Sequence, residues 1–247
     1  MRQDVSIPTK AGDANAYVFT PDAGAGPWPA VIMYMDAPGI RPSLFEMGER
    51  LAQNGYYVLL PDLYWRAGPH PPVDFQKARA GDPEHAAIMA KLRGSISPQI
   101  ITEDTGAFLD WIATQPKAKA GKVGVTGYCM GGGMAIRAAG LYPDRVAAAA
   151  SFHGGNMATD DEHSPHKVAG SIKAKVLVGG ADQDASYPEE QNTLLAAALN
   201  EAKVDAHVSI WPGVRHGWVP ADMPSHDKAG AERHWTELTG LLDSVLK

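Results

Sequence analysis

The sequence is poor in cysteine and has no cluster of positive charge. Its single cysteine, Cys129, cannot form an intramolecular disulfide or join a multi-cysteine zinc site, so it is either an inert buried thiol or a reactive one. The 28 acidic and 22 basic residues give a net charge of −6, and no run of lysine and arginine could follow a phosphate backbone. We therefore expect no nucleic-acid partner.

Long apolar stretches are also missing. The first ten residues, MRQDVSIPTK, contain no apolar segment of the kind found in secretory signals, and no run approaches the length of a membrane-spanning helix. We therefore expect a cytoplasmic protein with no membrane partner. A hydrophobic content of 45% with 20% charged residues is typical of globular proteins, and 247 residues suffice for one large α/β domain.

Apolar residues recur in short runs that predict an alternation of strands and helices. A weakly alternating stretch at 4–20, interrupted at 10–13, predicts an antiparallel hairpin at a sheet edge. Six further runs suit strands buried on both faces, at 30–34, 56–60, 122–126, 146–152, 175–178 and 205–211. Because helical segments separate these runs, we predict an α/β fold with a mostly parallel, doubly wound sheet and helices on both faces, in a single domain over residues 1–247.

Capping residues and apolar spacing predict individual helices. Ser43 and Glu46 are spaced as a capping box, and Gly55 lies where a glycine would end the same helix, which should bury Leu44, Met47 and Leu51. The segment 67–98 holds several prolines and histidines and predicts an elaborated crossover or lid, with a helix around 83–92. A final amphipathic helix is predicted from the spacing of Trp235, Leu238, Leu242 and Val245.

The single cysteine lies in a strand–turn–helix pattern. Gly127 and Gly131 stand two residues either side of Cys129, between a β-branched run and an alanine-rich helix. This spacing is the nucleophile elbow of α/β hydrolases, with cysteine where serine is more common. The glycines allow strand and helix to approach closely, and the helix N-terminus favours the negative charge that develops in acyl transfer. We therefore predict that Cys129 is a nucleophile rather than a structural thiol.

A base and an orienting acid follow Cys129 in the order that α/β hydrolases use, each in a loop after a strand. The loop after 175–178 contains Asp182 and Asp184, and the loop after 205–211 contains His216. We predict His216 as the general base. His153, in SFHGG, is the reserve candidate, but it precedes both aspartates.

Two further histidines raise the question of a metal. His163 and His166 lie in the sequence DDEHSPH, which is a short polar loop of a kind that acquires such residues without binding metal. We therefore predict no metal site.

Five motifs together resemble the dienelactone hydrolase family, also called carboxymethylenebutenolidases. They are YMDAPGIRP, LLPDLYWR, GYCMGGG, GADQDASYP and PGVRHGW, and the resemblance extends over nearly the full length. It implies a compact α/β-hydrolase fold without a separate cap, acting on enol lactones and related esters without a cofactor. It also implies that Cys129 is the nucleophile, His216 the base and an acid-loop aspartate the third member.

The resemblance also bears on the choice of acid. Counting from Gly179-Gly180 points to Asp182, whereas aligning the family's D-x-x-x-P pattern on Pro188 points to Asp184. We choose Asp184, since proline fixes the local backbone direction. The backbone N–H groups of Met130 and Ala37 are the expected oxyanion hole.

Three positions near the site depart from the family or have two interpretations. Asp36 replaces the family's usual glutamate and is either an auxiliary group that takes the thiol proton or a loop residue that caps backbone donors. Arg41 either binds a substrate carboxylate or is a surface charge at the start of a helix. Pro220 occupies a position where lactonases of the family often carry arginine.

The predicted function is hydrolysis of a small carboxylic ester or lactone through a thioester intermediate. Peptide or amide hydrolysis uses the same triad logic and remains an alternative. A second alternative is a ligand-binding protein that has kept the fold without turnover. We expect no cofactor, and a monomer or weak homodimer.

Overall fold

The computed structural model describes residues 1–71 and 73–247. One sheet contains eight strands, and its order is β1-β2-β4-β3-β5-β6-β7-β8. The strands are β1 (Arg2–Thr9), β2 (Gly12–Phe19), β3 (Ala30–Tyr34), β4 (Tyr57–Pro61), β5 (Val123–Tyr128), β6 (Val146–Phe152), β7 (Lys175–Ala181) and β8 (Ala206–Trp211). The predicted runs and the edge hairpin are confirmed, with ends that shift by up to three residues.

The sheet is antiparallel only at one edge. β1 pairs with β2 from Arg2 opposite Phe19 to Thr9 opposite Gly12, and β2 pairs antiparallel with β4. All the other neighbours are parallel. The strands β3, β4 and β5 are buried along their whole length, as expected where helices cover both faces of a parallel sheet.

Seven α-helices lie in the described residues. They are α1 (Pro42–Gln53), α2 (Phe75–Arg79), α3 (Pro83–Gly94), α4 (Pro98–Ala113), α5 (Met130–Leu141), α6 (Glu189–Glu201) and α7 (Lys228–Leu246), and short 3₁₀ turns occupy Trp65–Ala67 and Pro165–Ser171. None of the helices in these described ranges combines the length and the apolar character needed to cross a membrane.

Two glycines of β5 show that helices cover opposite faces of the sheet. A side chain at Gly124 would collide with Leu242 of α7, whereas a side chain at Gly127 would collide with the backbone of Gly131 in α5. Because positions an odd number apart in a strand face opposite sides, α5 and α7 lie on opposite faces. The α/β prediction is therefore confirmed, while the assignment of residues 1–247 to a single domain stays a prediction.

The predicted capping box at the start of α1 is wrong. Pro42 is the first helical residue, Arg41 is the N-cap, and no side chain caps this end. Proline has no N–H and presets the helical φ, so the helix begins two residues earlier than the box requires and Ser43 lies inside it, buried. The other end agrees with the prediction: Gly55 has a φ of 93° and its N–H bonds to the carbonyl of Ala52 at 2.8 Å.

The predicted crossover at 67–98 contains α2 and α3, and Pro72 within it lies outside the described residues. The helix expected around 83–92 is α3, capped by Asp82, whose carboxylate accepts the N–H of His85 at 3.1 Å. The final helix is also confirmed, since Trp235, Leu238 and Leu242 are buried. Val245 is 39% exposed, so the buried side of α7 continues through Leu246 instead.

Candidate active site

Cys129 forms a strained turn between β5 and α5. Its φ is 55° and its ψ is −120°, a backbone conformation that non-glycine residues rarely adopt. A Cβ atom at Gly131 would lie 2.5 Å from the carbonyl oxygen of Met35, so only glycine fits where α5 meets the end of β3. The cysteine itself is partly exposed. The elbow thus presents the thiol at the carboxyl edge of the sheet.

Asp184 and His216 lie in the loops after β7 and β8, and a hydrogen bond joins them. The Oδ2 atom of Asp184 is 2.6 Å from Nδ1 of His216. Ser186 donates its backbone N–H and its hydroxyl to Oδ1 of Asp184, at 2.8 and 2.6 Å. Asp184 is only 8% exposed, so these bonds fix the carboxylate in a largely dry position.

The competing aspartate has another role. The carboxylate of Asp182 accepts the backbone N–H of Gly213 at 3.2 Å, and its own N–H donates to the carbonyl of Val214 at 2.9 Å. Asp182 therefore joins the acid loop to the histidine loop. Of the two aspartates, the structure places Asp184 against His216.

The surroundings of His216 favour its protonated form. Burial lowers the pKa of His216, but hydrogen bonds to Asp184 and Cys129 and the charges of both groups outweigh burial and raise it to about 10. Burial raises the pKa of Asp184, and the hydrogen bonds from His216 and Ser186 overcome this and lower it. The site therefore stabilises an imidazolium between a carboxylate and the cysteine.

Two backbone N–H groups beside Cys129 are available to a ligand. Within the ranges that the structure describes, the N–H groups of Met130 and Ala37 have no hydrogen-bond acceptor. Tyr64, which is 2% exposed, donates its hydroxyl to the carbonyl of Ala37 at 3.0 Å and so fixes this part of the loop after β3. Sequence reasoning assigned no role to Tyr64, and its position in LLPDLYWR carries no spacing signal for this contact.

A second cluster of charges lies in the loop after β3. Arg41 bonds both oxygens of Asp36, at 2.5 and 2.8 Å, and both oxygens of Asp222, at 2.6 and 3.2 Å. It also donates to the carbonyl of Gly39 at 3.0 Å, so all five of its N–H groups are used. The side chain of Asp36 is 3% exposed and that of Arg41 is 15% exposed. The sequence allows two interpretations of Arg41, a ligand for a substrate carboxylate or a surface charge. In the structure its N–H groups are already occupied and its side chain is mostly buried, so the arrangement matches neither.

Asp222 was missed because nothing in the sequence links it to Arg41, which lies 181 residues earlier. Ser186 was also missed, although its position two residues after Asp184 is the spacing of a local side-chain turn. Both residues bind to partners that the sequence analysis did single out.

His153, the reserve base, lies beneath the site rather than in it. It is completely buried, and its Nδ1 atom accepts the backbone N–H of Cys129 at 3.1 Å. Its ring centroid lies 5.3 Å from that of His216 and 5.0 Å from that of Trp218. Burial, reinforced by the positive charge of His216, holds its pKa well below 6.5. A neutral ring with no access to solvent supports the elbow and does not suit a general base.

His163 and His166, which raised the question of a metal, have separate partners. His166 is bonded to the hydroxyl of Ser164 at 3.0 Å, and His163 lies 3.6 Å from Glu162 at the surface. No group of three or more histidine, cysteine, aspartate and glutamate side chains in residues 1–71 and 73–247 is arranged to hold a metal ion.

Two clefts meet at the triad and extend away from it in different directions. The α4–α5 cleft has a volume of about 620 Å³, and the α2–α3 cleft has a volume of about 1000 Å³. Cys129, Ser186 and His216 line both. The segment predicted as a crossover or lid thus forms one wall of the larger cleft, through α2 and α3.

A mostly parallel sheet with a cysteine elbow after β5, an aspartate after β7 and a histidine after β8 defines an α/β hydrolase. The chain belongs to the dienelactone hydrolase family, a model of which matches residues 14–246. Membership of this family classes the protein as an ester or lactone hydrolase.

Proteins from several bacteria match the chain over most of its length. A protein of Escherichia coli (strain K12), provisionally described as a carboxymethylenebutenolidase, is 27% identical over 239 residues, which cover 94% of this chain and 83% of that protein. A protein of Synechocystis sp. with the same description is 26% identical over 246 residues, which cover 98% and 96%. A solved structure from Klebsiella pneumoniae subsp. pneumoniae, provisionally described as a dienelactone hydrolase, has a TM-score of 0.84 at 24% identity and covers 98% of each chain.

Proposed function

We propose that the protein hydrolyses a small carboxylic ester or lactone by covalent catalysis, with Cys129 as nucleophile, His216 as base and Asp184 as the orienting acid. The observation that carries this proposal is the hydrogen-bonded pair of Asp184 and His216 beside the strained cysteine elbow. Strain of this kind persists only where the surrounding structure enforces it, and here it presents the thiol to the histidine.

The first half of the reaction forms the thioester. His216 takes the thiol proton, and the thiolate attacks the carbonyl carbon of the substrate. The negative charge passes to the carbonyl oxygen, which the N–H groups of Met130 and Ala37 stabilise. When the carbon–oxygen bond breaks, His216 returns its proton to the departing alkoxide. In a lactone the released alcohol stays attached to the acyl group.

The second half releases the acid. His216 removes a proton from a water molecule, and the resulting hydroxide attacks the thioester carbonyl. The same two N–H groups stabilise the second oxyanion, and its collapse expels the thiolate, which recovers the proton from His216. Asp184 holds the imidazole in one tautomer throughout and stabilises its positive charge, while remaining ionised.

The arrangement of Asp36, Arg41 and Asp222 supports a positioning role for this cluster. Asp36 immediately precedes Ala37, so the ion pair fixes the peptide whose N–H belongs to the oxyanion hole. Arg41 is the N-cap residue of α1, and its side chain extends to Asp222, in the loop that follows His216. The cluster thereby connects the two loops that flank the reacting carbonyl.

The test is a panel of aryl esters, aliphatic esters and five- and six-membered lactones, run on the wild type and on Cys129→Ala. We expect the variant to lose hydrolysis while its circular dichroism is unchanged, because only binding and the oxyanion hole remain. Iodoacetamide should inactivate the wild type with one label, at Cys129. Activity of the variant within tenfold of the wild type would refute covalent catalysis.

The same panel separates the alternative functions. Matched anilides report on amide hydrolysis, and mass spectrometry of the quenched wild type detects an acyl group on Cys129. Faster turnover of anilides than of esters would identify an amidase. Stoichiometric acylation or tight binding without release of product would identify a ligand-binding protein.

A further inference from the structure

The α4–α5 cleft leads away from Cys129 along one side of α5. Its lining residues on α5 are spaced three or four positions from one another along the helix, which places them on one face: Met130, Gly133, Met134, Arg137, Ala138 and Leu141. Ile101 and Thr105 of α4 form the opposite wall. Apart from the triad end, most of this surface is apolar.

Arg137 is the exception on the helix face. It is partly buried, and its Nη1 atom donates to the carbonyl of His163 at 2.5 Å. Within the described ranges, Arg137 forms no ion pair closer than 4.0 Å. Burial lowers its pKa, and the more distant charge of Asp161 opposes this. The cleft therefore holds a partly desolvated cation that is held by one backbone carbonyl and forms no direct ion pair.

We infer that the α4–α5 cleft binds an apolar arm of the substrate that ends in a carboxylate, and that Arg137 binds this carboxylate. This inference rests on the proposed function, because the arm belongs to the ester or lactone attacked by Cys129. A planar carboxylate matches the free edge of the guanidinium, and burial strengthens such a charge-assisted pair. Asp161 lines the same cleft without forming an ion pair with Arg137.

The length of the arm follows from helix geometry. Arg137 lies eight residues after Cys129, which corresponds to about 12 Å along the helix axis. Side chains on a helix lean towards its N-terminus, so the guanidinium lies closer to the thiol than its Cα atom does. A chain of the length found in adipate, suberate or sebacate fits this separation.

The α2–α3 cleft has a different character. Acidic and basic side chains line it together, including Asp36, Asp182, Arg79, Arg93 and Arg215. An apolar arm would have to desolvate several of these charges there. Because the α4–α5 cleft is the more apolar of the two, we assign the apolar arm to it.

The first experiment compares kcat/KM for anionic esters and for uncharged isosteres of equal length. One series carries the carboxylate on the acyl side, as p-nitrophenyl monoesters of adipate, suberate and sebacate, and a second carries it on the alcohol side, as acetates of ω-hydroxy acids. The isosteres have a terminal methyl ketone. In the series that places its carboxylate in the α4–α5 cleft, the wild type should have a higher kcat/KM for the anionic ester than for its isostere. Arg137→Gln should lower this ratio about 10- to 100-fold. Arg137→Lys should lower it less.

The matched control is Arg145→Gln, which removes an equal charge from a surface ion pair with Asp110. It should leave the preference unchanged. Equal preferences in the wild type and Arg137→Gln, in both series, would overturn the inference while leaving the proposed hydrolysis intact.

A binding measurement keeps the two proposals separate. Calorimetry with suberic acid monoamide, and with octanamide as its uncharged counterpart, does not require turnover. The monoamide should bind Arg137→Gln about 10-fold more weakly than the wild type, and octanamide should bind both alike. If no ester is hydrolysed but this difference is present, the proposed function fails and the assignment of the cleft stands. If the difference is absent, the assignment of the cleft fails.

Discussion

The protein contains two clusters in which a cation lies between other groups at the carboxyl edge of the sheet. In the triad, His216 lies between Asp184 and Cys129. In the second cluster, Arg41 lies between Asp36 and Asp222. The arrangements are alike but the cations differ, because imidazole exchanges its proton and guanidinium does not. A cation held between two groups therefore suits a proton carrier in one loop pair and a fixed connection in the other.

Of the substitutions considered, replacing His216 of the triad should have the largest effect on activity. We expect His216→Ala to lower kcat on the order of 10⁶-fold, if the histidine of a serine-protease triad is a fair guide, since neither proton transfer can occur. His153→Asn should cost much less, because His153 is completely buried and its Nδ1 atom already accepts the backbone N–H of Cys129. Steady-state kinetics on one aryl ester measures both variants. Equal losses would mean that the base has been misassigned.

Removing the carboxylate of the triad is the next largest expected effect. Asp184→Asn should lower kcat on the order of 10⁴-fold, because the amide favours the wrong tautomer of His216. Asp182→Asn is the matched control two residues away, and it should cost little because Asp182 bonds only to the backbone of the histidine loop. A deeper loss at Asp182 on the same ester would overturn the choice of acid.

The second cluster should show its effect in stability. Arg41→Gln leaves the buried carboxylate of Asp36 without its partner, and we expect a loss of about 3–5 kcal/mol in the free energy of unfolding. The control is Arg50→Gln, which breaks an exposed ion pair with Glu232 and should cost at most about 1 kcal/mol. Urea denaturation of both variants decides the matter, and similar losses would show that the Arg41 cluster is no more than a surface pair.

The smallest expected effect is a pH dependence of stability that belongs to the triad alone. The folded-state pKa of His216 lies above its ordinary value of 6.5, so its stabilising contribution is complete below about pH 6.5 and is lost as the pH rises towards 10. In a Cys129→Ala background, Asp184 still raises the pKa of His216. The stability of this variant relative to one that also carries His216→Gln should therefore fall as the pH rises above about 6.5.

His153 provides the control for this measurement. Its pKa is held well below 6.5 in the folded chain, so it is neutral in both folded and unfolded chains from about one pH unit above 6.5. The stability difference caused by His153→Asn should therefore be flat from about pH 7.5 to 10. A flat profile for His216 as well would mean that its pKa is not raised in the folded protein.

Local patterns allowed the sheet and the elbow to be predicted from the sequence. Each buried parallel strand is a short apolar run, and the glycines around Cys129 are demanded by contacts that tolerate no Cβ atom. The start of α1 was misjudged because Pro42 competes with Ser43 for the helix N-terminus, and propensity alone does not decide between them. The position of Asp184 against His216 agrees with the alignment on Pro188.

The contacts that could not be predicted join residues distant in the chain. Asp222 reaches Arg41 only because the loop after His216 folds back over the start of α1. Tyr64 meets Ala37 because β3 and β4 are neighbours in the sheet, with their following loops side by side. Such pairs depend on loop conformation, which carries no periodic signal in the sequence.

Under the proposed mechanism the protein has one sulfur nucleophile and no second thiol, which makes its activity sensitive to oxidation in a particular way. Peroxide converts a reactive thiolate to a sulfenic acid, which a neighbouring cysteine often traps as a disulfide. Cys129 has no such neighbour in the chain, so its rescue depends on a thiol from solution. Without that thiol the sulfur advances to the sulfinic acid, which is not reduced again. Dithiothreitol should therefore restore activity early in a peroxide time course and fail to restore it later, so the lifetime of the active enzyme depends on the reducing capacity of its surroundings.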